Sequence, residues 1–253
     1  MHYHAGHLAT AYNKHLQLID TSGREIFSIP VIGPATAIQI SSRNEIFLAS
    51  RDRIEVFSAS AGSMIRQWEI NYSSTYITGL AIKDSLLFLA DAGNTAVRIY
   101  TLDGKEVGHF DGKNQTDNKH GFIIPSAYFD ITFDADGELW AANTGIQTIE
   151  NYSIDGTLRA FWGKSGYDIG GFIGCCNPAH FCIMANGNFA TCEKGVVRIK
   201  EYLPSGELRG VVATPEVFDV DSEPADLTSD ESNAIYALDI SRNMIRKFEH
   251  VPE

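Results

Sequence analysis

The hydrophobic positions of this chain fall into short runs, and the runs recur. Six segments, 8–29, 46–70, 87–110, 139–162, 189–212 and 235–250, share one order. Each opens on an apolar run ending in a small residue and passes a polar turn. It then continues as an alternating run that closes on an aromatic or aliphatic anchor. Most copies add a Gly-containing turn and a third run. Short continuous apolar runs read as strands covered on both faces, and alternating runs as strands covered on one. The anchors are Ile19, Phe57, Tyr100, Tyr152, Tyr202 and Phe248, at roughly the 40–50-residue period of a propeller blade. Thr-Ser-Gly at 21–23, Leu-Asp-Gly at 102–104, Ile-Asp-Gly at 154–156 and Pro-Ser-Gly at 204–206 read as hairpin turns, with Gly supplying the positive φ. No stretch of helical period has useful length.

The expected fold is therefore all-β: a six-bladed β-propeller of antiparallel four-stranded blades. A single domain covers 1–253, with blades near 1–30, 34–71, 75–110, 124–162, 176–213 and 224–253. The last copy reaches Glu253 after its third strand, and only seven residues precede the run at Leu8. One blade is thus expected to be three-stranded, or to be completed by residues before Met1, because open edges are avoided.

Asp91-Ala-Gly-Asn-Thr-Ala-Val-Arg-Ile-Tyr100 and Asp239-Ile-Ser-Arg-Asn-Met-Ile-Arg-Lys-Phe248 resemble the repeats of the NHL family of propellers, and the resemblance runs through essentially the whole chain. It implies the fold rather than an activity, since related propellers include RNA binders, lyases, lactonases and passive scaffolds. The Trp-Asp dipeptide of another propeller family is absent.

Composition narrows the function. Hydrophobic residues make up 44% and aromatic residues 11% of the chain, which excludes disorder. No apolar run approaches a membrane-spanning helix. Twenty basic against 32 acidic residues give a formal charge of −12, so a nucleic-acid partner is not expected. No basic-then-apolar leader opens the chain, as in a cytoplasmic protein or a trimmed mature domain.

In a propeller, the connections between blades share a face with the turns between second and third strands. Three of those connections are long, 111–123, 163–175 and 214–223, and long loops on a rigid scaffold carry function. The turns place Tyr12, Ser50, Asp91, Asn143, Glu193 and Asp239 at one repeated position. Asp and Asn there suit turn capping; the alternative is a ring of oxygen ligands for Ca²⁺.

All four cysteines, Cys175, Cys176, Cys182 and Cys192, fall in the fifth repeat, in Gly-Cys-Cys-Asn-Pro-Ala-His-Phe-Cys and Thr-Cys-Glu-Lys-Gly. This pairing of boxes resembles a group of bacterial NHL-repeat proteins. The resemblance implies a periplasmic, cell-envelope or extracellular location, with a cytoplasmic one as the alternative. Three readings of the sulfur stand side by side: disulfides within Cys175–Cys176 and across Cys182–Cys192; a soft-metal site for Zn²⁺ or Cu(I) drawing on these thiols and His180; and buried thiols packed as small hydrophobes.

The candidate ligand-binding residues are Cys175, Cys176, His180, Glu193, Lys194 and Tyr167, with Phe172 as a further stacking surface. His15, His120 and His180 are the metal candidates, three imidazoles on one face able to hold Zn²⁺ with an open position. His2, His4 and His7 lie in a segment expected to fray. Trp68, Trp140 and Trp162 read as packing between blades. Ca, Zn and Cu are the cofactors considered, and none is fixed. The function read from all this is a monomeric binding or scaffold module taking a small molecule, glycan or protein. A metal-dependent lyase or hydrolase is the alternative.

Overall fold

The apolar runs become strands and the polar turns between them become hairpins. A computed structural model describes residues 1–12, 14–113, 121–219 and 221–250. Its sheets are the antiparallel blades of a six-bladed β-propeller, each a simple meander. The first holds β1 (His2–His4), β2 (His7–Tyr12), β3 (His15–Asp20) and β4 (Glu25–Pro30). The second holds β5 (Ala37–Ile40), β6 (Glu45–Ser50), β7 (Arg53–Ser58) and β8 (Met64–Glu69). The third holds β9 (Ile77–Lys83), β10 (Leu86–Asp91), β11 (Ala96–Thr101) and β12 (Glu106–Phe110).

The fourth blade holds β13 (Ile131–Phe133), β14 (Leu139–Asn143), β15 (Thr148–Tyr152) and β16 (Leu158–Trp162). The fifth holds β17 (His180–Ile183), β18 (Phe189–Cys192), β19 (Ile199–Tyr202) and β20 (Leu208–Ala213). The sixth holds β21 (Asp226–Ser229), β22 (Ile235–Asp239) and β23 (Met244–Phe248), three strands among the described residues. Among the described residues the only helical element is a 3₁₀ turn at Pro215–Val217. No helix is long and apolar enough to cross a membrane. Two compact units divide the chain, Met1–His109 and Phe110–Glu253, with three blades in each to within one residue of β12.

Burial follows the sequence pattern. The second strands β6 and β10, continuous apolar runs, are covered on both faces, whereas the fourth strands β4 and β8 expose alternate residues. The amino-terminal segment is paired rather than frayed. Tyr3 lies opposite Leu8, and His2 Nδ1 accepts a hydrogen bond from the Ile40 amide at 3.2 Å.

Within each unit the core is a series of apolar layers between successive sheets. One layer sets Ile46, Leu48 and Phe57 against Leu16 and Leu18, and another sets Phe47 and Val56 against Leu87 and Tyr100. In the second unit Trp162, Phe172, Phe189 and Tyr202 form one layer, and Cys182, Cys192, Leu227 and Ile235 belong to the next.

A repeated contact locks neighbouring sheets. Gly104 and Gly206, in the turns between third and fourth strands, have φ of +91° and +82°. A Cβ at Gly104 would lie 2.7 Å from the Trp68 ring, and one at Gly206 2.5 Å from Trp162. Only glycine combines the left-handed backbone with that approach. The tryptophans therefore do pack between blades.

One buried group opposes the fold. Glu55 on β7 is fully buried, and neither carboxylate oxygen has a hydrogen-bond partner among the described residues. Loss of hydration raises its pKa above the usual carboxylate range. An unsatisfied buried polar group costs about 1–3 kcal/mol. Glu55→Met, of similar shape, is expected to raise Tm by several degrees in a thermal melt, about 2–4 °C per kcal/mol at this size. A lowered Tm would mean that the carboxyl has a stabilising role.

Candidate functional site

At Asp91, Asn143, Glu193 and Asp239 the repeated turn position is structural. Asp91 Oδ1 accepts the Tyr76 amide at 3.1 Å, and Asp91 Oδ2 accepts Arg98 Nε at 2.8 Å. Asn143 Oδ1 accepts the Ile123 amide at 2.8 Å while its Nδ2 donates to Glu150 Oε2 at 3.1 Å. Glu193 Oε2 accepts the Ile173 amide at 2.9 Å, and Asp239 Oδ2 accepts Arg246 Nε at 2.9 Å. Each side chain ties the third strand of its own sheet, and in three sheets the incoming connection as well. These oxygens are spent on local hydrogen bonds, the turn-capping role. The turns and inter-blade connections do meet, as the strand order requires.

In the fifth blade this anchor becomes a buried ionic cluster. Glu193 Oε1 meets Arg198 Nε at 2.7 Å and Lys200 Nζ at 2.8 Å, with both Glu193 and Lys200 fully buried. Lys200 Nζ also donates to the Gly171 carbonyl at 2.8 Å, and Arg198 Nη2 to the same oxygen at 3.2 Å. Burial lowers the Lys200 pKa. The 163–175 connection is thus held down by two cations and a carboxylate. This corrects two expectations. Glu193 is fully buried with its carboxylate in this ion cluster, and Phe172 is fully buried against Trp162 and Tyr202. Tyr167, on the same connection, stands 93% exposed in solvent.

The Gly-Cys-Cys-Asn-Pro box is likewise construction. Asn177 Nδ2 donates to the Ile173 carbonyl at 2.6 Å and the Lys194 carbonyl at 3.1 Å, while Asn177 Oδ1 accepts the Lys194 amide at 2.8 Å. Gripped on both backbone groups, Lys194 sets its ammonium 5.3 Å from the centre of the Tyr128 ring, within cation–π range.

All four thiols are free; Cys175 is exposed and the other three buried. Across the β17–β18 hairpin, His180 lies opposite Cys192 and Cys182 opposite Ala190. Cys182 and Cys192 are therefore diagonal neighbours, at about 7–8 Å in such sheets, beyond the usual disulfide span. That corrects the expected cross-strand bridge, and the Cys175–Cys176 ring is not formed either. Burial pushes the Cys192 thiol up to about 12 and raises Cys182 as well. At pH 8, a thiol reagent should titrate one cysteine per native chain and four after denaturation without reductant. Two or four missing thiols in the denatured count would contradict this arrangement.

Beside Tyr128, whose ring Lys194 also approaches, the chain brings together three side chains that can ligate. His180 Nδ1, at the start of β17, lies 3.6 Å from Asp130 Oδ2 and 3.9 Å from Asp226 Oδ1. Asp130 immediately precedes β13, and Asp226 opens β21. Among the described residues these form the one group of His, Cys, Asp and Glu with three converging ligand atoms, all within 4.8 Å of one another. Tyr128 packs edge-on against the imidazole at 5.6 Å and donates its hydroxyl to Glu223 Oε2 at 2.9 Å.

Burial raises the Asp130 pKa. Burial also disfavours the imidazolium, but Asp130 and Asp226 outweigh it and His180 titrates above the ordinary histidine range. Burial first, and then the Glu223 carboxylate, raise the Tyr128 phenol.

Of the histidines expected to share a metal, His180 belongs to this cluster. His15 is an exposed residue opening β3 in the other unit, and His120 lies outside the described residues. Among the described residues, no thiol contributes a ligand atom to this group. Tyr128, Asp130, Glu223 and Asp226 escaped the sequence reading. A signal was present: Pro178-Ala-His180 and Pro224-Ala-Asp226 place His and Asp at one position of two successive first strands.

No protein family matches the chain, and no curated protein is similar to it in sequence. Solved structures are similar to it in fold. A streptogramin B lyase aligns with a TM-score of 0.65 at 14% identity, over 98% of this chain and 80% of that one. A virginiamycin B lyase from Staphylococcus aureus aligns with a TM-score of 0.60 at 16% identity, over 97% and 84%. A protein of unknown function from Bacteroides caccae aligns with a TM-score of 0.66 at 11% identity, over 92% and 82%. Together with the six sheets, these likenesses place the chain by fold among the six-bladed β-propeller proteins.

Proposed function

We propose that this chain is a binding module for a small polar ligand, held where Asp130, His180 and Asp226 converge beside Lys194 and Tyr128. The observation that carries the reading is that convergence. Two carboxylates and an imidazole, led in by three different sheets, lie within 4.8 Å of one another and are still partly open to solvent. Side chains with 18–31% exposure can meet a ligand, whereas the buried anchors cannot. Carboxylates accept hydroxyl hydrogen bonds, an imidazole donates or accepts one according to its protonation, and an ammonium suits a carboxylate. The chemistry that fits is a sugar acid or similar polyhydroxy acid.

A single propeller domain over 1–253, the NHL-type relationship, the bacterial Gly-Cys-Cys-Asn-Pro group, a monomeric state and a periplasmic or cell-envelope location belong to the same proposal. Their support is the resemblance of the repeats. Saturation-transfer NMR with glucuronate and galacturonate tests the site. Binding is expected for the wild-type chain and is lost in His180→Ala and Lys194→Ala. Absence of binding, or binding undiminished in both variants, overturns the reading.

A second reading, a metal-dependent lyase or hydrolase at the same cluster, is favoured by the imidazole standing between two carboxylates. Two of the similar folds are named as lyases. Turnover of a uronide that disappears in His180→Ala would move the proposal from binding to catalysis.

A further inference from the structure

We infer that Asp130, His180 and Asp226 bind one divalent first-row transition cation, Zn²⁺ or Mn²⁺. The inference rests on the proposal that this cluster is the ligand site, and it names what the cluster takes before any organic ligand.

The spacing supports it. His180 Nδ1 stands 3.6 Å from one carboxylate and 3.9 Å from the other, both longer than a hydrogen bond. The three groups converge at a spacing slightly wider than that around a bound ion. Around an ion with bonds of about 2.0–2.2 Å, adjacent ligand atoms lie roughly 3.0–3.5 Å apart. Movements of a few tenths of an ångström would suffice.

The donors choose the ion. One imidazole nitrogen and two carboxylate oxygens suit Zn²⁺ or Mn²⁺; soft Cu(I) prefers sulfur, and Mg²⁺ and Ca²⁺ prefer oxygen alone. No cysteine atom joins the group.

The ligands are also oriented by their surroundings. Asp130 Oδ1 accepts the Ile131 amide at 3.0 Å, and Asp130 Oδ2 accepts the Phe181 amide at 3.2 Å. Tyr128 fixes the plane of the imidazole from its edge. Such outer contacts hold ligands in place for a metal. Three protein ligands would leave coordination positions for water or for a ligand oxygen, the pattern of an open metal site.

The test uses the full chain stripped of metal by chelation and titrated calorimetrically with MnCl₂ and ZnCl₂. One equivalent per chain is expected. Asp226→Asn and His180→Ala should each weaken binding by about 100-fold, at the upper end of what even outer-shell changes cost. Thermal melts establish that the variants fold, and Asp130→Asn supplies an isosteric third variant. Bound Mn²⁺ should also broaden the His180 imidazole NMR signals selectively. A folded wild-type chain that takes up no stoichiometric cation, or variants that bind as tightly as it does, would overturn the inference. If the metal-stripped chain still binds uronates but takes no cation, this inference fails and the proposed ligand site stands. Cation uptake without any uronate binding has the opposite meaning.

Discussion

Replacement of Glu193 by alanine is expected to cost the fold about 3–5 kcal/mol, the loss that follows when one partner of a buried ion group is removed. Glu193 is the carboxylate that both Arg198 and Lys200 meet, and it is fully buried. Without it, two cations with little or no access to water would face each other and the Gly171 carbonyl, and the Ile173 amide would lose its acceptor. The 163–175 connection and the Lys194 turn should loosen together. Urea unfolding should show a fall in midpoint with little change in slope. Lys200→Met provides the contrast. It leaves the Arg198–Glu193 pair intact at one charge of each sign, so its cost should be clearly smaller. Equal losses in the two variants would contradict this ionic account.

Trp162→Ala is the second large effect, about 3–5 kcal/mol for deleting a buried aromatic and leaving its cavity. Trp162 touches Phe172, Phe189 and Tyr202, with ring centres 5.0–6.3 Å apart. The backbone of Gly206 lies on the same indole. Gly206→Val should destabilise too, for the opposite reason: it adds atoms where none fit, on a left-handed backbone. Combining the two changes should be non-additive, because the cavity left by the indole makes room for the new side chain. Strict additivity in a double-mutant cycle would show that turn and tryptophan do not act as a unit.

Much of the fold was legible in the sequence because a propeller repeats its strand pattern. Tyr100, Tyr152 and Tyr202 were readable as anchors, and each is buried on a third strand. The glycines of the 102–104 and 204–206 turns were readable as well. The site was far less legible. Asp130, His180 and Asp226 lie at the entrances to first strands, outside the six repeating segments, so a search for the repeat passes over them. Pro178 and Pro224 stand two residues before their ligand, but Pro125 stands five before Asp130, which breaks the alignment. The cysteines drew attention because sulfur is chemically versatile. Their neighbours Asn177 and Glu193 turned out to build the loop, and three of the four thiols fill the core. Residue type indicated that the fifth blade is unusual; only the hydrogen-bond partners reveal which residues face solvent and which are spent on structure.

The central claim is that the ligand sits at the Asp130–His180–Asp226 cluster beside Lys194. A crystal structure of the chain with glucuronate or galacturonate bound tests it most directly. The account predicts density for the ligand within hydrogen-bond distance of His180 or Asp226, with its carboxylate toward Lys194. Density instead at Cys175 or along the exposed Tyr167 loop, with the cluster untouched, would contradict it.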